Sequence, residues 1–168
     1  MNKGFICIIL SFLLIGAISS SSAKDRIGTF DSRIIFMWYF NTPEFQKELK
    51  DMRAGYDKAK EKNDTGAIKE FETKGPLTQR VMHDKVFGRG TVAEYLEPQK
   101  EILAQIAKSE KLIAIVSKWE LNYSSDDVEL VDITMKLLEA LKAPDNVKKM
   151  YDEMKNQQPI KDAIYIND

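Results

Sequence analysis

Residues 112–116 (LIAIV) form a short unbroken apolar run rich in branched side chains. A strand covered on both faces tends to read this way. Trp119, Leu121 and Tyr123 then alternate with Glu120 and Asn122, the period of a half-buried strand. Ser124, Ser125, Asp126 and Asp127 supply turn chemistry, because short polar side chains bond back to nearby backbone groups. Asp132 or Thr134 is placed to cap a following helix in which Leu137, Leu138 and Leu141 share one face. Two strands alone are marginal in water, so the pattern calls for a third. Residues 26–30 are the candidate: Ile27 and Thr29 fall on one face, Gly28 and Phe30 on the other, and Asp31-Ser32 can cap the next element.

Almost all of the long interval between these strands reads as helix. Thr42-Pro43-Glu44 is a helix start, with an N-cap residue, proline at the first helical position and an acid facing the positive end of the dipole. Phe45, Leu49, Met52, Tyr56 and Ala59 then recur at heptad spacing among charged residues. At 1.5 Å per residue such a helix over residues 43–62 would reach about 30 Å. Gly55 weakens it and marks a bend. Asn63-Asp64-Thr65-Gly66 is a turn, followed by a looser apolar stripe of Ile68, Phe71, Val81 and Met82. Gly75-Pro76 is predicted to interrupt or kink this return helix, since proline lacks the donor and crowds the preceding turn. A second turn lies at Phe87-Gly88-Arg89-Gly90-Thr91. Leu96, Leu103 and Ile106 mark a helix running back towards Leu112, with Pro98 near its start. Residues 144–155 look helical, and Gln157-Gln158-Pro159 leads into a tail.

The predicted class is α+β and mostly helical. A small β-body spans residues 26–40 and 110–142, one N-terminal strand plus a C-terminal strand pair. An antiparallel helical arm (residues 43–109) is inserted into it, and a helical extension (residues 143–168) comes last. So little chain is left for a globular core that oligomerisation would be a natural remedy.

Residues 1–23 read as an export signal: Lys3 is basic, residues 5–18 are apolar save Ser11 and Gly16, and Ser21-Ser22-Ala23 fits a cleavage site after Ala23. The apolar run falls short of the ~20 residues a spanning helix needs, so no stable membrane insertion is expected after cleavage. The single cysteine, Cys7, lies inside this segment, which leaves no disulfide, thiol catalysis or cysteine-ligated metal in the mature chain. The net charge is −1, with both signs spread evenly and no basic block, so no nucleic-acid partner is expected.

Several short motifs have simple structural explanations. Gly88-x-Gly90 lacks the third glycine and the lysine of a phosphate loop. His83, the one histidine, sits on a polar stretch beside Asp84. Asp126, Asp127, Glu129 and Asp132 lack the spacing of a calcium loop and read as turn and cap residues. Trp38, Tyr39 and Phe40 form a dense aromatic group suited to core or subunit packing. No catalytic residue, metal ligand or cofactor site is expected, and the chain does not read as an enzyme.

The pairing of IGTFDS (residues 27–32) with AIVSKWELNYSSDDVELVDIT (residues 114–134) resembles the Skp/OmpH family of periplasmic chaperones. In that family an N-terminal strand leads into a long helical hairpin. The chain then returns through a valine-rich strand, a tyrosine-containing strand with a Ser/Asp turn, and an Asp-Ile-Thr helix start. The matching positions are Ile27, Gly28, Phe30 and Asp31 at the front. At the back they are Ile115, Val116, Tyr123, Ser124, Ser125, Asp126, Asp132, Ile133 and Thr134.

The resemblance implies a homotrimer built on the β-bodies, with candidate body residues Ile27, Phe30, Ile113, Ile115, Trp119 and Tyr123. It further implies a periplasmic holdase that binds unfolded or partly folded outer-membrane and envelope proteins without ATP. Client-binding candidates on the arm are Phe45, Leu49, Met52, Tyr56 and Phe71. This arm is shorter than the family's, and residues 41–110 hold basic and acidic residues in equal number, whereas the best-known members have basic arms. The alternative expectation is an exported adaptor or structural protein that uses the same scaffold for one dedicated envelope partner.

Overall fold

The computed structural model describes residues 24–159. The predicted signal sequence and the end of the tail, residues 160–168, lie outside the described residues. The elements run β1 (Asp25–Phe30), α1 (Ser32–Phe40), α2 (Pro43–Glu61), α3 (Thr65–Val86), α4 (Ala93–Leu96), a 3-10 turn (Glu97–Gln99), α5 (Lys100–Glu110), β2 (Ala114–Ser117), β3 (Val128–Asp132), α6 (Thr134–Ala140) and α7 (Asp145–Met154). The result is mostly helix with one three-stranded sheet, as the patterning predicts.

The sheet departs from expectation in its third strand and its pairing. The strand order is β2-β1-β3, and both flanking strands run parallel to β1. The two late strands therefore never pair with each other. Residues 119–123, predicted as a strand, are turn and irregular chain, and the third strand is Val128–Asp132. The cause is local: the amide of Glu120 donates to the carbonyl of Ser117 at 3.1 Å, turning the chain as soon as β2 ends. Two-residue turns join antiparallel strands only, so the parallel return from β2 to β3 consumes the whole stretch between them.

Register defines two sheet faces. Gly28, Ile115 and Val131 share the inner face with Phe30, and Ile27, Ala114, Val116 and Leu130 share the outer one. On the inner face Gly28 is needed for close approach, since a Cβ there would stand 2.6 Å from Cδ1 of Leu112. Against this face pack Ile34, Ile35 and Phe36 of α1, Ile106 of α5, Ile133, and Leu137 and Leu138 of α6, all buried. Residues 144–155, expected as part of an extension, instead complete the core: Ala143, Val147 and Tyr151 are buried in the same cluster.

Asp31 and Thr42 cap their helices as predicted, and Asp64, within the predicted turn, caps α3. The Asp31 carboxylate accepts from the Arg33 amide at 3.1 Å, the Thr42 hydroxyl from Phe45 at 3.3 Å, and the Asp64 carboxylate from Ala67 at 3.0 Å. Asp132 accepts from the Thr134 amide at 2.8 Å. Asn63 adopts a left-handed φ of 53° in the turn that joins α2 to α3.

One other expectation, a break in the helix at Gly75-Pro76, is corrected. Gly75-Pro76 does not interrupt α3, which continues from Thr65 to Val86 with Pro76 inside it. The lost donor would have served the Glu72 carbonyl on an exposed surface, where water can replace it. Gly55 lies within α2 and faces the ring of Phe71, whose Cζ would sit 3.0 Å from an added Cβ, so it provides room for α3. Replacing Pro76 by alanine should therefore stabilise the protein, by up to about 3 kcal/mol in chemical denaturation. An unchanged or lowered midpoint would mean that the proline is better accommodated than this placement implies.

Candidate functional site

Apart from Phe40 at the end of α1, the exposed large apolar side chains among the described residues lie on two parts of the molecule. Met52 (42% exposed), Leu77 and Val81 lie on α2 and α3, while Ile113 (64%), Tyr123 (81%) and Leu130 (45%) lie on the β-body. Scattered apolar exposure is ordinary, so such a residue marks a candidate contact surface only where it joins a groove or an open sheet face.

Met52 borders a groove of about 460 Å³ between α2 and α3, lined also by Leu49, Arg53, Tyr56, Phe71, Glu72 and Pro76, whereas Leu77 and Val81 lie on α3 outside its lining. Tyr56 and Phe71 meet edge-on with centroids 5.8 Å apart, and the Tyr56 hydroxyl donates to Glu72 at 3.3 Å. Four of the five predicted arm residues, Leu49, Met52, Tyr56 and Phe71, are thus brought together on one wall system. Phe45 is not. It is buried at the base of α2 between the rings of Tyr39 (5.2 Å) and Phe40 (5.0 Å), away from the groove. Between the base and the turn, only Ala59 among the apolar residues of α2 is buried, so most of the heptad stripe faces the groove or solvent.

The aromatic group at residues 38–40 anchors the root of these helices. Tyr39 stacks on Tyr95 at 3.9 Å, and the ammonium of Lys85 lies over the Tyr95 ring at 4.4 Å. Lys85 also donates to the Tyr95 hydroxyl at 2.7 Å and pairs with Glu94. Burial alone would lower the Lys85 pKa, but these partners hold it above its ordinary value and hold Glu94 below its own.

On the β-body the predicted residues separate. Phe30 is buried in the core and Ile115 packs against it, so neither offers a surface. Ile27 is half-buried at the centre of the outer face, between Ala114 and Leu130. Ile113 and Tyr123 are largely exposed. Trp119 is bound inward. Its indole N–H donates to Asp31 at 2.8 Å, and the guanidinium of Arg33 sits 4.7 Å from its ring centre.

Asp31 is the hub of a buried polar cluster at the carboxyl end of the strands. Its fully buried carboxylate receives Arg33 twice, at 3.0 and 2.7 Å, and pairs with Lys118 at 3.0 Å. Burial would raise its pKa, but the bonds from Arg33, Trp119 and Lys118 outweigh it and hold the carboxyl below its usual 3.8. Arg33 also donates to the carbonyls of Met154 (3.2 Å) and Gln157 (3.0 Å), closing the end of α7. Nearby, the Tyr151 hydroxyl donates to Asp132 at 2.9 Å; burial and that carboxylate push its pKa up to about 12. These groups satisfy one another and tie four elements together, which suits a structural lock. The sequence assigns Asp31 only a capping role; the signal for more is a charged pair, Asp31 and Arg33, in an otherwise apolar segment.

The remaining motifs take structural roles. Gly88 has φ of 73° at the end of α3, and a Cβ there would stand 3.0 Å from Trp119. His83 is exposed, with its ring edge-on to Phe87 at 6.4 Å. Among the described residues no group of three or more histidine, cysteine or acidic side chains is gathered as for a metal ion. No helix among them is long and apolar enough to cross a membrane. Compared with protein-family models, curated proteins and solved structures, the chain finds no match.

Proposed function

We propose that the protein is an exported, non-enzymatic, holdase-like chaperone related to the Skp/OmpH family. In this reading α2 and α3 form an antiparallel arm that retains unfolded or partly folded envelope proteins in the periplasm without ATP. The single observation that carries it is the open groove between α2 and α3, which gathers Leu49, Met52, Tyr56 and Phe71. The groove suits transient contact with extended apolar segments. Ile113, Tyr123 and Leu130 suit association of three copies through their β-bodies, which would enlarge a core too small to be generous by itself.

Mature protein should run as a trimer by light scattering and suppress aggregation of a denatured outer-membrane β-barrel protein. Replacing exposed Met52, which lines the groove, by glutamate should weaken client retention about tenfold or more. Each buried apolar side chain is worth roughly 1.5–3 kcal/mol, and 1.4 kcal/mol is tenfold in affinity. Global stability should move by no more than about 0.5 kcal/mol per site. A stable monomer that leaves aggregation unchanged would refute the proposal.

A second reading is favoured by the equal numbers of basic and acidic residues on the helices, which lack a long-range field for gathering many clients. It makes the protein an adaptor for one envelope partner. One dominant species in a pull-down from envelope extract, with no spread of outer-membrane proteins, would select it.

A further inference from the structure

Among the described residues the sheet has an open edge at β2. Order β2-β1-β3 places β2 at one margin, bonded to β1 on one side only. Ile113 donates to the Arg26 carbonyl at 2.9 Å, so by the alternation of a strand the backbone groups of Ala114 and Val116 point the other way, off the sheet. Beside this edge runs a groove of about 320 Å³, with Val92, Leu96 and Leu103 on one wall and Ile115 and Val116 on the other. An apolar groove along an exposed strand edge is a template for one more strand.

The chain itself delivers a candidate to this place. The Lys118 ammonium lies 3.4 Å from the carbonyl of Lys155, and Arg33 holds the carbonyl of Gln157. The end of α7 is therefore one lysine side chain away from the end of β2. Beyond it come residues 160–168, IKDAIYIND, with an apolar run at Ala163, Ile164, Tyr165 and Ile166. That run is rich in the branched and aromatic residues that favour strands, and it equals in length the four residues of β2. The six steps from Gln157 to Ala163 span up to about 20 Å, ample to reach the edge.

We infer that the groove beside β2 is the docking site of this C-terminal segment, which adds to the same chain's sheet as a fourth, antiparallel strand. Direction is set by the exit point: a chain leaving at the carboxyl end of β2 must run back along it. The added strand shields the Ala114 and Val116 backbone, and its apolar side chains fill the groove. It leaves Leu130 and the β3 edge open.

Cysteine pairing in the full chain tests this directly, because Cys7→Ser removes the single natural thiol. Val116→Cys should be combined in turn with cysteine at Ala163, Ile164, Tyr165 and Ile166. Neighbouring strands bring opposed Cβ atoms within disulfide reach, so one or two of these pairs should oxidise within a single chain. Leu130→Cys with the same partners should not. Separately, the amides of Ala114 and Val116 should exchange with solvent about tenfold or more slowly than in a chain shortened after Pro159. Disulfides formed only between chains, preferential pairing with position 130, or exchange unaffected by shortening would each overturn the inference.

Discussion

Asp31→Asn should lower the free energy of unfolding by about 3–5 kcal/mol, the range for breaking a buried ion pair from one side. The carboxylate is fully buried, and Arg33, next to it, is 4% exposed. Asparagine keeps the shape but leaves Arg33 and Lys118 facing a neutral amide. It also supplies only one carbonyl oxygen where Arg33, Trp119 and Lys118 now share two. Urea titration by circular dichroism measures the change; a loss below about 1 kcal/mol would mean that the cluster is more hydrated than its burial indicates.

The same carboxyl sets an acid limit. Its folded pKa lies below the ordinary 3.8, so the unfolded chain takes up the proton first as pH falls. The contribution of Asp31 is complete well above pH 3.8 and is lost as pH drops through the lower, folded value. Wild type should lose stability across that acid window, and Asp31→Asn should show less of the loss.

Phe36→Ala should cost about 3–5 kcal/mol, because it removes a large side chain from a site that cannot collapse. Phe36 is 1% exposed, and its ring meets Tyr95 at 5.9 Å and Phe40 at 6.4 Å. It lies where α1 meets the aromatic root of the helices, so the loss should appear in global unfolding. Leu77→Ala, at a position 60% exposed on α3, is the matched control and should fall within about 0.5 kcal/mol. Comparable losses in the two variants would contradict this core.

Much of the local structure is legible because it is written in nearest neighbours. Thr42-Pro43, Asp64 and Asp31 cap their helices through bonds to residues two or three positions away. Leu137, Leu138 and Leu141 lie on one buried face for the same short-range reason. The third strand escapes local reading because strand character at residues 128–132 comes from a distant partner. Arg26 bonds Glu129 at 3.1 Å and Ile27 pairs with Leu130, contacts about which the local sequence is silent. The alternation of Trp119, Leu121 and Tyr123 misleads for the converse reason: a period of two is only a pattern, and Trp119 is drawn out of it by Asp31.

The candidate surfaces divide in the same way. Leu49, Met52 and Tyr56 are visible as heptad positions, since helical periodicity puts them on one side of α2, whereas Phe71 joins them only because α3 packs back against that helix. That Phe45 closes the root instead depends on Tyr39 and Phe40 arriving from another helix.

By itself the sequence determined the elements whose causes lie within a turn or two of chain: the starts of α1 and α2, apolar helix faces, and the first strand with its cap. Only the tertiary structure decided that β1 lies between two parallel strands, that α7 belongs to the core, and that Asp31 is a buried hub. Each of these rests on contacts between residues about a hundred positions apart, such as Asp31 with Thr134. Their free energy exists only once the chain has closed, and no local pattern records it.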